Sequence, residues 1–288
     1  MGDSLVGYAF VAPNILIFFG FTLLPFIFSL IISFSDWDYT QGFSNIGFNG
    51  GANYIEIWSD SWFQDSIKNT LFYVIGTVPL TIGISIILAA TIERGVKGKG
   101  IAKLLLFIPY ISNVVAISIV WTVLLAPSGP LAKFLAGFGV QAPIWLADPD
   151  WVMTAIIFMS VWLGLGYAVM IYSAALGGIP KELYESAQID GANEVQNFTK
   201  ITVPMLSHTT FFLTVTSIIG GFKVFGQIMT MTQGGPGSSS HVLVYYIYTA
   251  AFRFFRMGYA STISIVLFIF LLAITLFQWR SQRKWEES

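Results

Sequence analysis

The stretch TLFYVIGTVPLTIGISIILAATI, residues 70–92, carries no charged side chain over its whole length. About 20 apolar residues in an α-helix span the ~30 Å hydrocarbon core of a bilayer. A helix also satisfies its own backbone N–H and C=O groups, which lipid cannot do. The stretch therefore predicts a membrane-spanning helix.

The rest of the chain has the same character. Of its 288 residues, 55% are hydrophobic and 10% are charged, and the mean hydropathy is +0.73. These values lie outside the range of soluble domains. We therefore predict an all-α polytopic membrane protein, a single domain over residues 1–288, with six transmembrane helices. The predicted spans are 8–34, 70–92, 104–126, 151–176, 205–222 and 257–279. The apolar run 241–252 is too short to span a bilayer and is predicted to be partly embedded or interfacial.

Lysine and arginine in the connecting segments predict the orientation. They cluster after the second span, at residues 94–103, and again after the sixth, whereas the segment after the first span is mainly acidic. Short loops rich in lysine and arginine remain in the cytoplasm. With six spans, both termini are expected to be cytoplasmic.

Composition excludes several kinds of chemistry. The chain has no cysteine, so it has no disulfide, no thiolate nucleophile and no zinc–thiolate site. Its basic residues form no stripe that would neutralise nucleic-acid phosphates. The chain has only two histidines, His208 and His241. We predict no catalytic residues, no metal site and no nucleic-acid partner.

The longest cytoplasmic polar segment is predicted at residues 178–204. Pro180 suits the first turn of a helix, Gly191 suits its end, and Asn193 with Gln196 has the spacing of a capping box. The segment is thus predicted to form a helix, a turn and a second helix, with Leu183, Tyr184, Ala187, Val195, Phe198 and Ile201 on the apolar faces. Such a hairpin could rest on lipid headgroups or dock into a groove of another protein. An acid–base role for Glu185 and Asp190 is disfavoured, because no histidine or metal-ligand cluster is near them in the sequence.

Residues 176–206, LGGIPKELYESAQIDGANEVQNFTKITVPML, resemble the cytoplasmic EAA loop of inner-membrane subunits of binding-protein-dependent ABC importers. Ser186 stands where the family pattern has alanine. The motifs LLFIPY, WLADPD and MTQGGP resemble the carbohydrate-importer branch, which includes the maltose and glycerol-phosphate permeases. The positions that match the loop pattern are Glu185, Ala187, Asp190, Gly191, Ala192, Phe198, Ile201 and Pro204.

The resemblance implies a type I ABC importer fold in a bacterial-type cytoplasmic membrane. It implies a second, different permease subunit, an extracytoplasmic solute-binding protein and two cytoplasmic ATPase subunits that hold ATP and Mg. This chain has no G-x-x-x-x-G-K-[ST] motif and is expected to bind no cofactor itself. The residues expected to couple it to an ATPase are Glu185, Ser186, Ala187, Asp190, Gly191 and Ala192.

A carbohydrate path requires hydrogen-bonding groups and aromatic faces. The resemblance places the path at Tyr110, Ser160, Leu163, Gly164, Ser217 and Gly221, and side-chain chemistry adds Asn113 and Tyr167. Lys223 could contact substrate or extend its amine to water, and the small residues could serve helix packing instead. We expect import of an oligo- or disaccharide. Alternatives are a sugar phosphate such as glycerol phosphate, or a stand-alone carrier or channel, which the lack of ionisable groups within the spans disfavours.

Overall fold

The computed structural model describes residues 2–95 and 97–286; Val96, within the basic loop GVKGKG, lies outside these ranges. The described chain is mainly helical, with one antiparallel pair of two-residue strands. The α-helices and strands, in chain order, are α1 (Gly2–Phe18), α2 (Leu24–Ile32), β1 (Ser35–Asp36), β2 (Gly47–Phe48), α3 (Ala52–Ser59), α4 (Ser61–Gly95), α5 (Lys99–Ile111), α6 (Val114–Leu124), α7 (Pro130–Ala136), α8 (Val152–Leu176), α9 (Lys181–Ile189), α10 (Glu194–Asn197), α11 (Val203–Met205), α12 (Ser207–Phe222), α13 (Gly226–Met231), α14 (Leu243–Phe252) and α15 (Met257–Glu286).

Four helical stretches of the described chain are long and apolar enough to cross a bilayer. They correspond to the first, second, fourth and sixth predicted spans, and extend over Phe10–Ile32, Ser61–Gly95, Val152–Leu176 and Met257–Gln278. The first of them contains a π-helical segment, Phe19–Leu23, between α1 and α2. Within the described residues the count rises to six when two bent helix pairs are each taken as one span.

The third predicted span, 104–126, is wrong as a continuous helix. It consists of α5 and α6, which meet at an angle of 98°. Ser112 has extended backbone angles, and the Asn113 side chain accepts hydrogen bonds from the backbone N–H groups of Val115 and Ala116. An asparagine side chain that caps a new helix competes with continuation of the preceding helix. Hydropathy does not detect this competition, because it measures only how apolar the residues are.

The fifth predicted span, 205–222, corresponds to α12, but the helix leading into it is bent by 65° at the junction. The junction residue Leu206 is buried. Just before it, Pro204 has no N–H to donate to the preceding turn, and the π-helical segment Phe198–Thr202 lies there. This bend sets the direction in which the polar segment leaves α12.

The chain divides into two compact units, the first comprising residues up to Gln64 and from Tyr246 onward. In it, α15 packs against α2, α3 and β1. A Cβ atom at Gly258 would lie 2.0 Å from the Ser35 carbonyl oxygen, so glycine permits the close approach of α15 to β1. Asn53 donates to the carbonyls of Ser33 and Ser35, which satisfies backbone acceptors where α2 ends.

The second unit comprises residues 65–245. Its helices α5 and α8 pack along each other, and a Cβ at Gly166 would lie 2.1 Å from the Leu106 carbonyl oxygen. A hydrophobic cluster around the fully buried Tyr172 joins α4, α8 and α12. The half-buried Tyr184 and Phe198 pack against the same cluster. The polar segment is thereby attached to the membrane helices of this unit.

Candidate functional site

A cavity of about 580 Å³ lies within the second unit, among α4, α5, α6, α8, α12 and α13. This volume is within the range of small-molecule sites, roughly 300–1,000 Å³. Its walls combine aromatic rings, hydroxyl groups and glycines. The lining residues are Tyr73, Thr77, Val78, Thr81, Tyr110, Val114, Ser160, Leu163, Gly164, Tyr167, Ala168, Thr216, Ser217, Gly220, Gly221, Lys223, Val224, Phe225, Gly226 and Gln227.

The cavity brings together eight of the nine residues predicted from the sequence to form a substrate path. The exception is Asn113, whose side-chain oxygen is engaged in capping α6 and which is not among the lining residues. Its neighbour Val114 does line the cavity. Substrate contact by the eight stays a prediction; they are Tyr110, Ser160, Leu163, Gly164, Tyr167, Ser217, Gly221 and Lys223.

Two tyrosines form an aromatic wall of this cavity. The rings of Tyr110 from α5 and Tyr167 from α8 are stacked, with centroids 5.0 Å apart and planes 19° apart. Tyr110 is exposed and Tyr167 is half-buried, so both rings remain accessible from the cavity. Aromatic faces with a few placed polar groups are typical of sites that bind small organic ligands.

The cavity glycines also allow close packing. A Cβ at Gly164 would lie 3.2 Å from the Thr81 Cγ2 atom, and a Cβ at Gly221 would lie 2.8 Å from the Val74 Cγ2 atom. Each glycine thus lets its helix approach α4. These two glycines therefore line the cavity and also permit close helix packing, the alternative role that the sequence suggested.

Helix α4 contributes residues to the cavity that were not predicted from the sequence. Tyr73, Thr77 and Thr81 line the cavity and are spaced four residues apart, which places them on one face of the helix. That spacing of hydroxyl groups within an otherwise apolar span is the signal that could have identified them. The Thr77 hydroxyl donates to the Tyr73 carbonyl at 2.6 Å, so its proton is used within the helix.

Lys223 is the only charged residue among the described lining residues. It follows α12 as its C-terminal cap, and its backbone N–H donates to the Gly220 carbonyl. Among the side chains that the structure describes, no carboxylate lies within ion-pair distance of its amine. The cavity wall therefore carries one positive charge and no carboxylate.

The polar segment forms the predicted hairpin. Helix α9 runs from Lys181 to Ile189, and Gly191 has a φ of +82°, a left-handed conformation that favours glycine. Asn193 and Gln196 form the capping box: the Asn193 N–H donates to the Gln196 side chain at 2.8 Å, and the Gln196 N–H donates to the Asn193 side chain at 2.9 Å. The prediction of helix, turn and helix is confirmed.

The apolar side predicted for the second helix is in part exposed on this chain, and polar residues are buried beside it. Val195 is 70% exposed, whereas the polar residues Asn197 and Thr202 are buried. Thr202 is within hydrogen-bond distance of the Tyr184 hydroxyl at 3.0 Å, so the two arms of the hairpin are joined by polar contacts that periodicity of apolar residues cannot reveal.

The other side of the hairpin is exposed. Of the predicted coupling residues, Glu185, Ser186, Asp190 and Gly191 are exposed, and Ala187 and Ala192 are half-buried. Ile189 is 87% exposed, and Leu183 is also exposed. A smaller cavity of about 260 Å³ lies between the arms and is lined by Ala187, Asp190, Gly191, Ala192, Gln196, Asn197, Lys200 and Ile201. The hairpin thus exposes apolar side chains and carboxylates, and it contains a concave surface between its arms.

A third polar feature is the loop after α13, which contains the GGPGSSS sequence. Asn69 of α4 donates to the carbonyls of Ser238 and His241, at 2.7 and 3.0 Å, and the Ser238 hydroxyl donates to Asp65 at 2.7 Å. A Cβ at Gly234, which has a φ of +84°, would lie 2.5 Å from the His241 ring. The loop is therefore closely attached to the first turns of α4. In the described part of the chain, no group of three or more histidine, aspartate or glutamate residues could hold a metal ion.

Comparisons with known proteins match nearly the whole chain. The family described as "Binding-protein-dependent transport system inner membrane component" matches residues 81–285. The lactose transport system permease protein LacF of Rhizobium radiobacter is 33% identical over 96% of this chain and 94% of its own length. The sn-glycerol-3-phosphate transport system permease protein UgpA of Agrobacterium fabrum is 31% identical over 98% of this chain and 96% of its own length.

A solved structure has the same fold. The crystal structure of a bacterial alginate ABC transporter, in complex with an alginate pentasaccharide-bound periplasmic protein, contains a chain that superposes with a TM-score of 0.85. That chain is 25% identical, and the match covers 98% of this chain and 96% of that one. The predicted fold class is confirmed.

Proposed function

Because the chain belongs to the family of binding-protein-dependent transport system inner membrane components, we propose that it forms part of the translocation path of an ATP-driven carbohydrate importer. It is an integral inner-membrane protein, and a translocation subunit rather than an enzyme. The observation that carries the proposal of a carbohydrate is the cavity of about 580 Å³ with its stacked tyrosines and hydroxyl groups.

The names of the relatives support the same class of cargo. LacF is named for lactose, and the alginate transporter for a polysaccharide. UgpA is named for sn-glycerol-3-phosphate, and this name together with the positive charge at Lys223 favours a sugar phosphate as the second candidate. An oligo- or disaccharide and a sugar phosphate share hydroxyl groups that need matched donors and acceptors.

We propose that the hairpin docks onto a cytoplasmic ATPase subunit. Its inner side is anchored by Tyr184 and Phe198, while Ile189 and Val195 expose large apolar side chains. Exposed apolar side chains beside carboxylates are typical of surfaces that bind other proteins. In this arrangement the hairpin and both termini lie in the cytoplasm.

The complete transporter proposed here contains several further proteins. Two ATPase subunits would bind ATP and Mg, and this chain would bind no cofactor. A second, different permease subunit would complete the path, and a solute-binding protein would deliver the carbohydrate on the outer side, as the periplasmic protein in the alginate transporter complex supports.

The docking proposal is tested by co-purification with an ABC-importer ATPase subunit from the same organism. Glu185→Lys places a positive charge where the partner is expected to meet a carboxylate, and Gly191→Pro cannot adopt the φ of +82°. Both variants should retain less than about a tenth of the ATPase, because a broken interface loses roughly 2 kcal/mol or more. Asp150→Lys, a charge reversal outside the hairpin, should retain it fully. Normal binding by both hairpin variants would contradict docking at this surface.

The import proposal is tested in proteoliposomes that contain the complete transporter. Uptake of a carbohydrate should require ATP inside, the binding protein outside and this chain. Uptake that continues without ATP and follows an ion gradient would instead indicate a stand-alone carrier.

A further inference from the structure

Lys223 has no counter-charge in the cavity that it lines. The other lining residues are uncharged, and within the described parts of the chain no carboxylate is within ion-pair distance. The family alone leaves the charge of the carbohydrate open. The charge of the cavity wall is therefore the feature that can distinguish cargoes.

The position of Lys223 at the end of α12 suits a cation. It follows the last residue of α12, and the C-terminus of a helix carries a partial negative charge that favours a cation. The side chain is exposed and flexible, so its three N–H donors can be directed into the cavity. A neutral sugar would use these donors as ordinary hydrogen bonds and leave the charge uncompensated.

We infer that the cavity selects a carbohydrate bearing a negatively charged group, a carboxylate or a phosphate, and that Lys223 binds this group. The inference rests on the proposed function, because it assigns a charge to the cargo of the same cavity. Opposite charges attract far more strongly in the reduced dielectric of a protein cavity than in bulk water. Hydrogen bonds to charged groups are also stronger than those between neutral groups.

The remaining wall fits the rest of such a molecule. The stacked rings of Tyr110 and Tyr167 offer an aromatic face for the sugar ring, and Gln227 and Ser217 offer neutral donors and acceptors for its hydroxyls. No lining carboxylate would repel the anion. Lys223 is thus assigned the role of a specificity-determining residue within a site that otherwise binds neutral groups.

The test uses the complete transporter in proteoliposomes and three radiolabelled cargoes: a uronate-containing disaccharide, its carboxyl-reduced neutral counterpart, and a hexose phosphate. Binding of each cargo to the solute-binding protein is measured separately by calorimetry, so that selection by that protein is not attributed to the cavity. The variants are Lys223→Gln, which removes the charge, and Lys223→Arg, which keeps it. Lys133→Gln, a charge removal outside the cavity, is the matched control.

We expect Lys223→Gln to lower uptake of the anionic cargo roughly 10- to 100-fold, the cost of losing a charge-assisted hydrogen bond. Uptake of the neutral counterpart should change less than about threefold, and Lys223→Arg should restore anionic uptake. A loss with the uronate alone identifies a carboxylate ligand, and a loss with the hexose phosphate alone identifies a phosphate.

Two results would overturn the inference. The first is that Lys223→Gln takes up the anionic cargo as fast as wild type. The second is that Lys223→Gln loses uptake of the neutral and anionic cargoes equally, while Lys223→Arg remains active. The second would assign Lys223 to a carboxylate of the companion subunit. A wild-type transporter that carries only the neutral disaccharide would also overturn it while leaving the proposed function intact. If no carbohydrate is transported at all, the proposed function itself fails.

Discussion

Tyr110 and Tyr167 lie on different helices, yet their rings stack with centroids 5.0 Å apart on the wall of one cavity. The stack depends on the close packing of α5 against α8, which Gly166 permits one residue before Tyr167. The residue proposed to contact substrate and the residue that permits helix packing are therefore adjacent in the sequence of α8. They can be separated by mutation.

Replacing Tyr167 by alanine should lower carbohydrate uptake about 10-fold or more, because it removes one ring of the aromatic wall and its apolar contact area. Tyr167→Phe keeps the ring and should retain most of the uptake. The measurement is initial uptake in proteoliposomes with purified, fully assembled transporter. Equal uptake by Tyr167→Ala and wild type would show that the stack does not contact the cargo.

Replacing Gly166 by alanine should destabilise the protein by roughly 2–3 kcal/mol, because the new Cβ would lie 2.1 Å from the Leu106 carbonyl oxygen and neither backbone can easily move. This corresponds to a fall in Tm of about 5–10 °C, measured by thermal unfolding in detergent. Gly83→Ala is the control, since a Cβ there meets no atom within 4 Å. Equal unfolding temperatures for the two variants would contradict the packing of α5 on α8.

Replacing Asn193 by alanine should destabilise the start of the second hairpin helix by about 1 kcal/mol, the usual cost of losing such a cap. Hydrogen exchange of the backbone amides in residues 195–198 should become roughly five times faster, because local opening becomes more frequent. Gln196→Ala removes only the reciprocal bond and should have a smaller effect. Unchanged exchange in Asn193→Ala would mean that the cap does not limit opening of this turn.

Replacing Asn69 by leucine should release the GGPGSSS loop, because it removes the donor to the Ser238 and His241 carbonyls. The chain has no cysteine, so a single Ser239→Cys substitution reports the accessibility of the loop. Labelling of this half-buried position by a water-soluble maleimide should accelerate severalfold in the Asn69→Leu background. Thr91→Leu, a loss of an exposed intrahelical hydrogen bond elsewhere on α4, should leave the rate unchanged.

The orientation is testable in the same cysteine-free background. Ser186→Cys on the hairpin and Ser44→Cys between the first two spans are both exposed positions. In intact spheroplasts, a membrane-impermeant maleimide should label Ser44→Cys and leave Ser186→Cys unlabelled until the membrane is opened. The reverse pattern would invert the assigned topology.

Much of the fold followed from local patterns. Four spans agree with uncharged runs, because the length of an apolar stretch and the thickness of a bilayer are directly related. The hairpin followed from Pro180, Gly191 and the pair Asn193 and Gln196, whose effects act over three or four residues. Such features need no knowledge of distant parts of the chain.

The sequence by itself therefore determined that the chain crosses a membrane and which segment forms the hairpin, but it did not reveal the bends within the third span and before the fifth. Only the tertiary structure decided that Asn113 caps α6 and does not line the cavity, that α4 supplies three hydroxyl residues to the cavity wall, and that Lys223 is the lone charge of that wall among the described residues. The physical reason is the sequence separation over which each effect acts: hydropathy and capping depend on residues that are neighbours in the sequence. A cavity wall depends on which helices pack together, and this is decided by contacts such as Gly166 on Leu106 and Gly221 on Val74.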